Sequence, residues 1–325
     1  MKGGTSLTYD GRTRSSKVTT RTTWLATLAV LSAAALVVPG CSPKTVIVNA
    51  MGSALAGEAS GWGRDDDPEL VRDATPFALK TIESLIAEAP RNTDLLLAAS
   101  SGFTEYSYAF VQSDADYVEA SDLARATALR ARAGRLYRRA REYGLRGLEV
   151  GNPGFRSALR SDGARAVAAV RSRTEVPLLY WTAAAWALEI SLAKQDADLT
   201  ADLPLTGLMV HRAIELQPGY GGGVLYDFLI AYDGGRPAAA GGSVERARAD
   251  LQEALALAGG TRAAPYVTFA ETVSVVTQNR AEFVKLLDEA LAIDPGRAPD
   301  QRLANLIAQK RARWLLARVD ELFIE

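Results

Sequence analysis

From residue 67 onward, apolar side chains recur every three or four positions, which is the spacing of one face of an α-helix. Helical segments are predicted from there to the end of the chain, and prolines and glycines separate them. The segments cover about 67–89, 93–112, 121–149, 176–195, 203–216, 223–232, 243–258, 264–278, 279–293 and 299–323. No run of alternating apolar and polar residues is long enough to form a sheet. The pattern therefore predicts an all-α fold.

The first helix has a recognisable start at Asp67-Pro68. An aspartate accepts hydrogen bonds from the free amide groups of a helix N-terminus, and proline fits the first helical position because it has no N–H to leave unpaired. Residues 41–66 are rich in glycine and small side chains, and we interpret them as a flexible tether. The acidic run 65–67 lacks the spacing of a calcium-binding loop. We expect the folded domain to span 67–325.

Three of the predicted helices share an internal rhythm. Each has a large apolar residue, a small residue three positions later, and a helix-ending proline or glycine five positions after that. The sets are Val210, Ala213 and Pro218; Leu251, Ala254 and Gly259; and Leu287, Ala290 and Pro295. This order is typical of the second helix of tetratricopeptide-type repeats, but the tryptophan and glycine positions of the first repeat helix are missing. The sequence predicts an irregular array of helical hairpins with degenerate tetratricopeptide-like repeats, and an irregular bundle is the alternative.

The first 40 residues have the pattern of a secretory signal peptide. Basic residues precede the apolar stretch Trp24–Val38, which is shorter than the roughly 20 residues that span a bilayer as a helix. Cys41, the only cysteine, follows directly, and this order resembles the lipobox of bacterial lipoproteins, in which the thiol is acylated after cleavage. We predict a signal peptide over 1–40 and lipidation of Cys41. The alternative is an uncleaved membrane anchor with an unmodified thiol.

A lipid anchor would place the chain in the cell envelope, facing the periplasm, because two or more acyl chains hold a protein firmly to a membrane. Ser42 stands where an aspartate retains lipoproteins at the inner membrane of enteric bacteria. The sequence therefore favours the outer membrane.

Composition excludes several classes of function. Of 37 Lys and Arg residues five lie in 1–40, and of 38 acidic residues one does, so the predicted mature part has a formal charge of −5. Sequence-independent nucleic-acid binding needs clustered positive charge, and we expect no nucleic-acid partner. An acylated Cys41 leaves no thiol for a disulfide. With His211 as the single histidine, the usual zinc ligand sets are absent.

Catalytic patterns are also missing. Acidic residues such as Glu215, Glu271 and Glu282 are scattered, and there is no Ser-His-Asp order, nucleophile elbow or phosphate-binding glycine motif. We expect no enzyme activity, no metal and no cofactor. An envelope hydrolase is the weakest of three functional hypotheses.

Aromatic residues cluster in the middle and later thirds of the chain. An aromatic lining with a few polar tips is how pockets for apolar ligands are usually built. The candidates for such a lining are Tyr180, Trp181, Trp186, Tyr220, Tyr226, Tyr232 and Phe269. Aromatic residues at helical spacing are more often plain core, so that alternative stays open for each of them. Tyr220 differs because glycines 219 and 221–223 surround it and permit close backbone approach or a mobile edge.

The predicted helix 121–149 carries eight arginines. They are Arg125, Arg130, Arg132, Arg135, Arg138, Arg139, Arg141 and Arg146. A basic stripe on a helix can attract an acidic partner or anionic headgroups. The alternative, which we favour at this stage, is a solvated face whose aliphatic stems cover apolar surface.

Six short strings resemble the T-component family of tripartite ATP-independent periplasmic (TRAP) transporters. They are DDPELVRDA (66–74), LKTIESL (79–85), LYWTAAAW (179–186), GGSVERA (241–247), QNRAEF (278–283) and RLANLIAQKRA (302–312), and Leu322-Phe323 fits as well. The resemblance covers about residues 65–325. It is specific because the strings keep their order and spacing.

The resemblance implies a lipid-anchored, all-helical protein that binds the periplasmic substrate-binding component of a TRAP transporter. It also implies an apolar cleft or pore that holds a small hydrophobic molecule, and it brings no catalytic residues. The runner-up hypothesis is a general envelope scaffold that docks peptides or assembly partners on the concave face of the array. The sequence leaves a homo-oligomer open.

Overall fold

The computed structural model describes Met1 and residues 61–324, and every regular element in that range is helical. The predicted signal peptide, Cys41 and most of the predicted tether lie outside the described residues. The α-helices are α1 (Pro68–Glu88), α2 (Thr93–Tyr106), α3 (Ser113–Val118), α4 (Leu123–Gly151), α5 (Phe155–Ser161), α6 (Gly163–Ala169), α7 (Val176–Leu192), α8 (Ala197–Ala201), α9 (Leu203–Leu216), α10 (Val224–Gly234), α11 (Val244–Ala258), α12 (Ala264–Phe269), α13 (Arg280–Ala292), α14 (Arg302–Leu316) and α15 (Val319–Leu322). The all-α prediction is confirmed, and no helix within 61–324 is both long and apolar enough to cross a bilayer.

Side-chain caps set the helix boundaries. The Asp67 carboxylate accepts hydrogen bonds from the backbone N–H groups of Glu69 and Leu70, as the sequence predicts. Asn92 caps α2 and Asp122 caps α4 in the same way, each through the amide three residues later. Such caps satisfy donors that an α-helix leaves unpaired in its first turn.

Helix packing forms three apolar clusters in chain order. The first joins α1, α2 and α4 around Phe103 and Tyr137. The second joins α4, α7, α9 and α10 around Leu179 and Met209. The third joins α10 to α14 around Phe283. Each helix therefore buries its apolar face against neighbours close in sequence, as expected for an array of hairpins.

The last long helix, α14, returns to the first. Lys310 forms an ion pair with Glu69 on α1 at 3.3 Å, and Arg302 donates to the carbonyl of Arg64 at 3.3 Å. Arg64 in turn pairs with Asp300 at 2.5 Å. The apolar residues of α14 divide accordingly, since Leu303 and Ile307 pack on the first cluster and Leu315 belongs to the third. Residues 61–324 thus form an array of helices whose two ends meet.

Most predicted segments coincide with observed helices, but two kinds of element were not predicted. Short helices α5 and α6 follow α4, and π-helical turns extend two others, at Ser107–Gln112 after α2 and Ala270–Ser274 after α12. At the repeat positions, Ala213, Ala254 and Ala290 are fully buried, in keeping with close helix approach. The tetratricopeptide relation itself stays a prediction.

Candidate functional site

The two π-helical turns lie near each other although they are far apart in sequence. A π turn inserts one extra residue into an α-helix, and such insertions are frequent at functional sites. At the end of the first turn the Tyr108 carbonyl accepts two hydrogen bonds from Ser113, one from the backbone N–H and one from the hydroxyl at 2.8 Å. The second turn contains Glu271. Tyr108 is close enough to Glu271 for the negative charge to raise the pKa of its phenol.

Arg311 on α14 joins these two regions. Its guanidinium donates to Asp116 of α3 at 2.9 Å and forms an ion pair with Glu271. Burial alone would lower the pKa of Arg311, but the carboxylate of Glu271 and the other neighbouring groups raise it overall. Asp116 also forms an ion pair with Arg130 of α4 at 2.9 Å. One arginine therefore ties the last long helix to both π-containing hairpins.

A second buried ion pair lies between α10 and the loop before α12. Arg262 pairs with Asp227 and also donates to the carbonyl of Gly222 at 3.2 Å. Burial raises the pKa of Asp227, against the opposing effect of Arg262. The glycine run that the sequence singled out at 219–223 thus allows the backbone to meet an arginine, and Gly221, Gly222 and Gly223 all have positive φ.

Tyr180 of α7 is a neighbour of this ion pair. Its ring packs edge-on against Trp181, with centroids 4.8 Å apart, and against Tyr220 at 6.0 Å. Burial raises the pKa of Tyr180 most, and the charge of Asp227 raises it further. The negative charge of Glu105 on α2 acts on the same phenol.

The surroundings of Glu105 and Tyr108 indicate an open recess between the Arg311 ion pairs and the rings around Tyr180. Both side chains are exposed, Tyr108 by 44%, yet desolvation raises the pKa of Glu105 to about 7 and that of Tyr108 to about 12. Water reaches such a group while protein surrounds it, which is the situation in a cleft. We call this region the recess. The charges of Glu271 and Arg311 act on Tyr108, and those of Asp227, Arg262 and Glu105 act on Tyr180, so we assign these groups to its surroundings.

The structure brings together three of the seven aromatic residues proposed from the sequence. Tyr180, Trp181 and Tyr220 are half-buried, and the Tyr180 ring packs against the other two.

The other four occupy different surroundings. Trp186 is buried in the second cluster under the guanidinium of Arg141, and Phe269 is fully buried in the third. Tyr226 is half-buried against the third cluster, and Tyr232 stacks on Phe228. Their role as ligand contacts stays a prediction.

The charged residues of the recess were not predicted as site residues. Glu105, Asp227, Arg262 and Arg311 sit singly in helical or loop segments with no motif around them. The sequence did contain one indication of a site. Glu105 is an acid between the buried positions Phe103 and Tyr106 of a largely apolar helix. Within residues 61–324 no group of His, Cys, Asp and Glu is arranged to hold a metal ion.

The surface also has a shallow groove along α13. It is lined by Ala281, Val284, Lys285, Asp288, Glu289 and Ala292. The groove carries no aromatic side chain, so its chemistry differs from the cleft that the sequence predicts.

Glu105 predicts a specific pH dependence. Its pKa in the folded protein, about 7, is above the ordinary glutamate value, so the folded state binds this proton more tightly than the unfolded state. The resulting stabilisation is fully present below about pH 4.3 and is lost as the pH rises through 7. The free energy of unfolding of the wild type, relative to Glu105→Gln, should therefore fall between pH 5 and 8 in urea titrations.

Asp250 provides the control for this experiment. Burial and the nearby charge of Asp233 raise its pKa to about 7 as well. The variant Asp250→Asn still contains Glu105. Its free energy of unfolding should therefore still fall between pH 5 and 8 by the amount that Glu105 contributes. Parallel pH profiles for the wild type and Glu105→Gln would contradict a desolvated Glu105.

Comparison with known proteins agrees with the resemblance seen in the sequence. The profile of the family described as TRAP transporter T-component matches residues 64–323. An uncharacterized protein of Treponema pallidum (strain Nichols) is 29% identical over 310 residues, which cover 90% of this chain and 96% of the relative. The family match implies an accessory role in TRAP transport and a periplasmic or envelope location, and it is not a match to a known enzyme family. The chain belongs to the TRAP transporter T-component family.

Proposed function

We propose that this chain is a non-enzymatic lipoprotein, anchored through Cys41 and facing the periplasm, that binds the substrate-binding component of its TRAP transporter and holds a small molecule in the recess. The proposal combines the family membership with the observation that carries it, the recess between Glu105, Tyr108 and Tyr180. Desolvation raises the pKa values of all three groups, and a partly desolvated site with aromatic neighbours suits a small apolar ligand.

The recess favours binding over chemistry. Its two arginines are committed to internal ion pairs, Arg262 to Asp227 and Arg311 to Glu271 and Asp116. The groups available to contact a ligand are therefore the rings around Tyr180 and the carboxyl group of Glu105. Aromatic faces bind the apolar body of a small molecule, and a few polar groups set its orientation.

Copurification tests the partner. The full-length lipidated chain is isolated from its own cells after mild crosslinking, and the captured proteins are identified by mass spectrometry. Recovery of the substrate-binding component of a TRAP transporter supports the proposal, and repeated absence of any such component contradicts it. The runner-up, a peptide-docking scaffold, predicts instead the capture of several unrelated envelope proteins.

Native mass spectrometry of the same preparation tests the recess. A bound small molecule should be present in the wild type and should bind about tenfold more weakly to Tyr180→Ala, which corresponds to a tyrosine contribution of about 1.4 kcal/mol. Tyr266→Ala is the matched control, since Tyr266 is a half-buried tyrosine that packs on the third cluster. Equal retention of the small molecule by Tyr180→Ala and Tyr266→Ala would contradict binding in the recess.

A further inference from the structure

The outer face of α4 carries a row of arginines that the transporter hypothesis does not yet use. Arg125, Arg132, Arg135, Arg139 and Arg146 are separated by seven, three, four and seven residues, so they share one side of the helix. The first four are exposed and Arg146 is half-buried. We call them the arginine stripe. At 1.5 Å per residue the stripe is roughly 30 Å long.

Aromatic rings of α2 and of α4 itself hold several of these guanidinium groups in place. Arg132 lies over the ring of Tyr106 at 5.7 Å and Arg139 over Phe103 at 5.4 Å. Arg146 lies over Tyr143 at 5.4 Å and donates to the carbonyl of Pro90 at 3.3 Å. The stems therefore cover apolar surface, as expected for a solvated face, but the charged ends are also positioned before any partner arrives.

The stripe is distinguished by the scarcity of acidic partners. The other three arginines of α4 are neutralised, Arg130 by Asp116 and Glu119, and Arg138 and Arg141 by the buried Glu189. Among the described residues, the only ion pair of the stripe joins Arg139 to Glu83 at 3.4 Å. The predicted mature chain is acidic overall, so this face opposes the net charge of the protein. Uncompensated charge of this kind attracts carboxylates and speeds their encounter.

We infer that the arginine stripe docks an acidic surface of a soluble protein, and that this protein is the substrate-binding component of the transporter. The inference rests on the proposed function and names the surface through which the partner binds. A guanidinium group pairs with a carboxylate through two parallel hydrogen bonds, whereas a lysine ammonium acts as a point charge. The whole of α4 contains no lysine.

An anionic membrane is the less suitable partner for this face. Helices that bind membrane surfaces place large apolar side chains beside their basic residues, so that these insert among the lipids. On α4 the exposed positions next to the arginines include Ala124, Ala128 and Ala131. The exposed large apolar residue of this helix is Leu123, at its very start.

A pair of double charge reversals tests the inference. The stripe variant is Arg125→Glu with Arg135→Glu, two exposed arginines without an ion pair in the described range. The control is Arg160→Glu with Arg165→Glu on α5 and α6, which are exposed, carry no ion pair within 61–324 and change the net charge equally. Circular dichroism and thermal unfolding verify that both variants fold like the wild type.

Binding of the purified substrate-binding component is measured by calorimetry at 50 and 300 mM NaCl. The stripe variant should bind at least tenfold more weakly than the wild type at low salt, and the control should stay within about twofold. Higher salt should weaken the wild type and reduce the difference between it and the stripe variant. Equal affinities for the stripe variant and the wild type, or equal losses in both variants, would overturn the inference and leave the proposed function intact.

Two further outcomes separate the hypotheses. A wild type that does not bind the component at all contradicts the proposed function and the inference with it. Vesicles of phosphatidylethanolamine with 30% phosphatidylglycerol serve as the membrane probe in a flotation assay. Binding to these vesicles that is lost in the stripe variant alone would assign the stripe to lipid and overturn its role in protein docking.

Discussion

Replacement of Arg311 by alanine is expected to lower the free energy of unfolding by about 3 kcal/mol. The side chain of Arg311 is only 13% exposed and forms ion pairs with Asp116 and Glu271, which lie far apart in the sequence. Removal of one partner of a buried ion pair leaves the remaining charges without compensation, which costs more than the pair itself contributes. Glu271 would be affected most, because Asp116 keeps its ion pair with Arg130.

The matched control lies two residues further along the same helix. Arg313 is exposed, and Arg313→Ala should change the free energy of unfolding by less than about 0.5 kcal/mol. Both variants are compared with the wild type by urea titration at pH 7. The same small effect for both would show that the junction between α14 and the two π-containing hairpins contributes little to stability.

A destabilised Arg311→Ala would also indicate how the recess is maintained. The contact between Arg311 and Asp116 closes a loop of 195 residues, and Lys310 and Arg302 add exposed contacts at the same end of the array. Exposed ion pairs contribute little, about 0–1 kcal/mol each. The half-buried Tyr117, whose ring packs edge-on against Trp314 with centroids 5.4 Å apart, supplies the apolar part of this junction.

The helices could be predicted from the sequence because their determinants are local. Apolar spacing, the Asp67-Pro68 start and the proline and glycine stops all act within one or two helical turns. These signals placed α4, α7, α9, α11 and α13 within a few residues of their observed ends. The small residues at 213, 254 and 290 were also recognisable, since close helix packing requires them wherever the partner helix lies.

The recess could not be predicted, because it depends on contacts between distant segments. A π turn differs from an α turn by one residue and leaves no distinct apolar period, so the turns at Tyr108 and Glu271 are invisible in the pattern. The pairing of Arg311 with Glu271 requires the ends of the array to meet. Aromatic residues gave only a partial guide, since Phe269 and Tyr180 have similar helical contexts but different burial.

Gly144 should tolerate no side chain, although it lies inside the long helix α4. An added Cβ at Gly144 would overlap the hydroxyl of Thr182 on α7 and lie 2.9 Å from the hydroxyl of Ser100 on α2, and both residues are fully buried. The three helices meet here with no room for displacement, because Thr182 is β-branched and stiff. Gly144→Val should therefore lower the free energy of unfolding by about 3 kcal/mol, the upper end of the usual cost of overpacking.

Gly134 on the same helix provides the opposite case. Nothing lies within 4 Å of the Cβ that would be added there, so Gly134→Val should leave the free energy of unfolding within about 0.5 kcal/mol of the wild type. Helix propensity favours valine over glycine equally at both positions, so the difference between the two variants isolates the helix contact. Thermal and urea unfolding of the two variants measure it. Equal stability would mean that α2, α4 and α7 do not pack as closely as the structure shows. The helices that carry Glu105 and Tyr180 would then not be held together at Gly144.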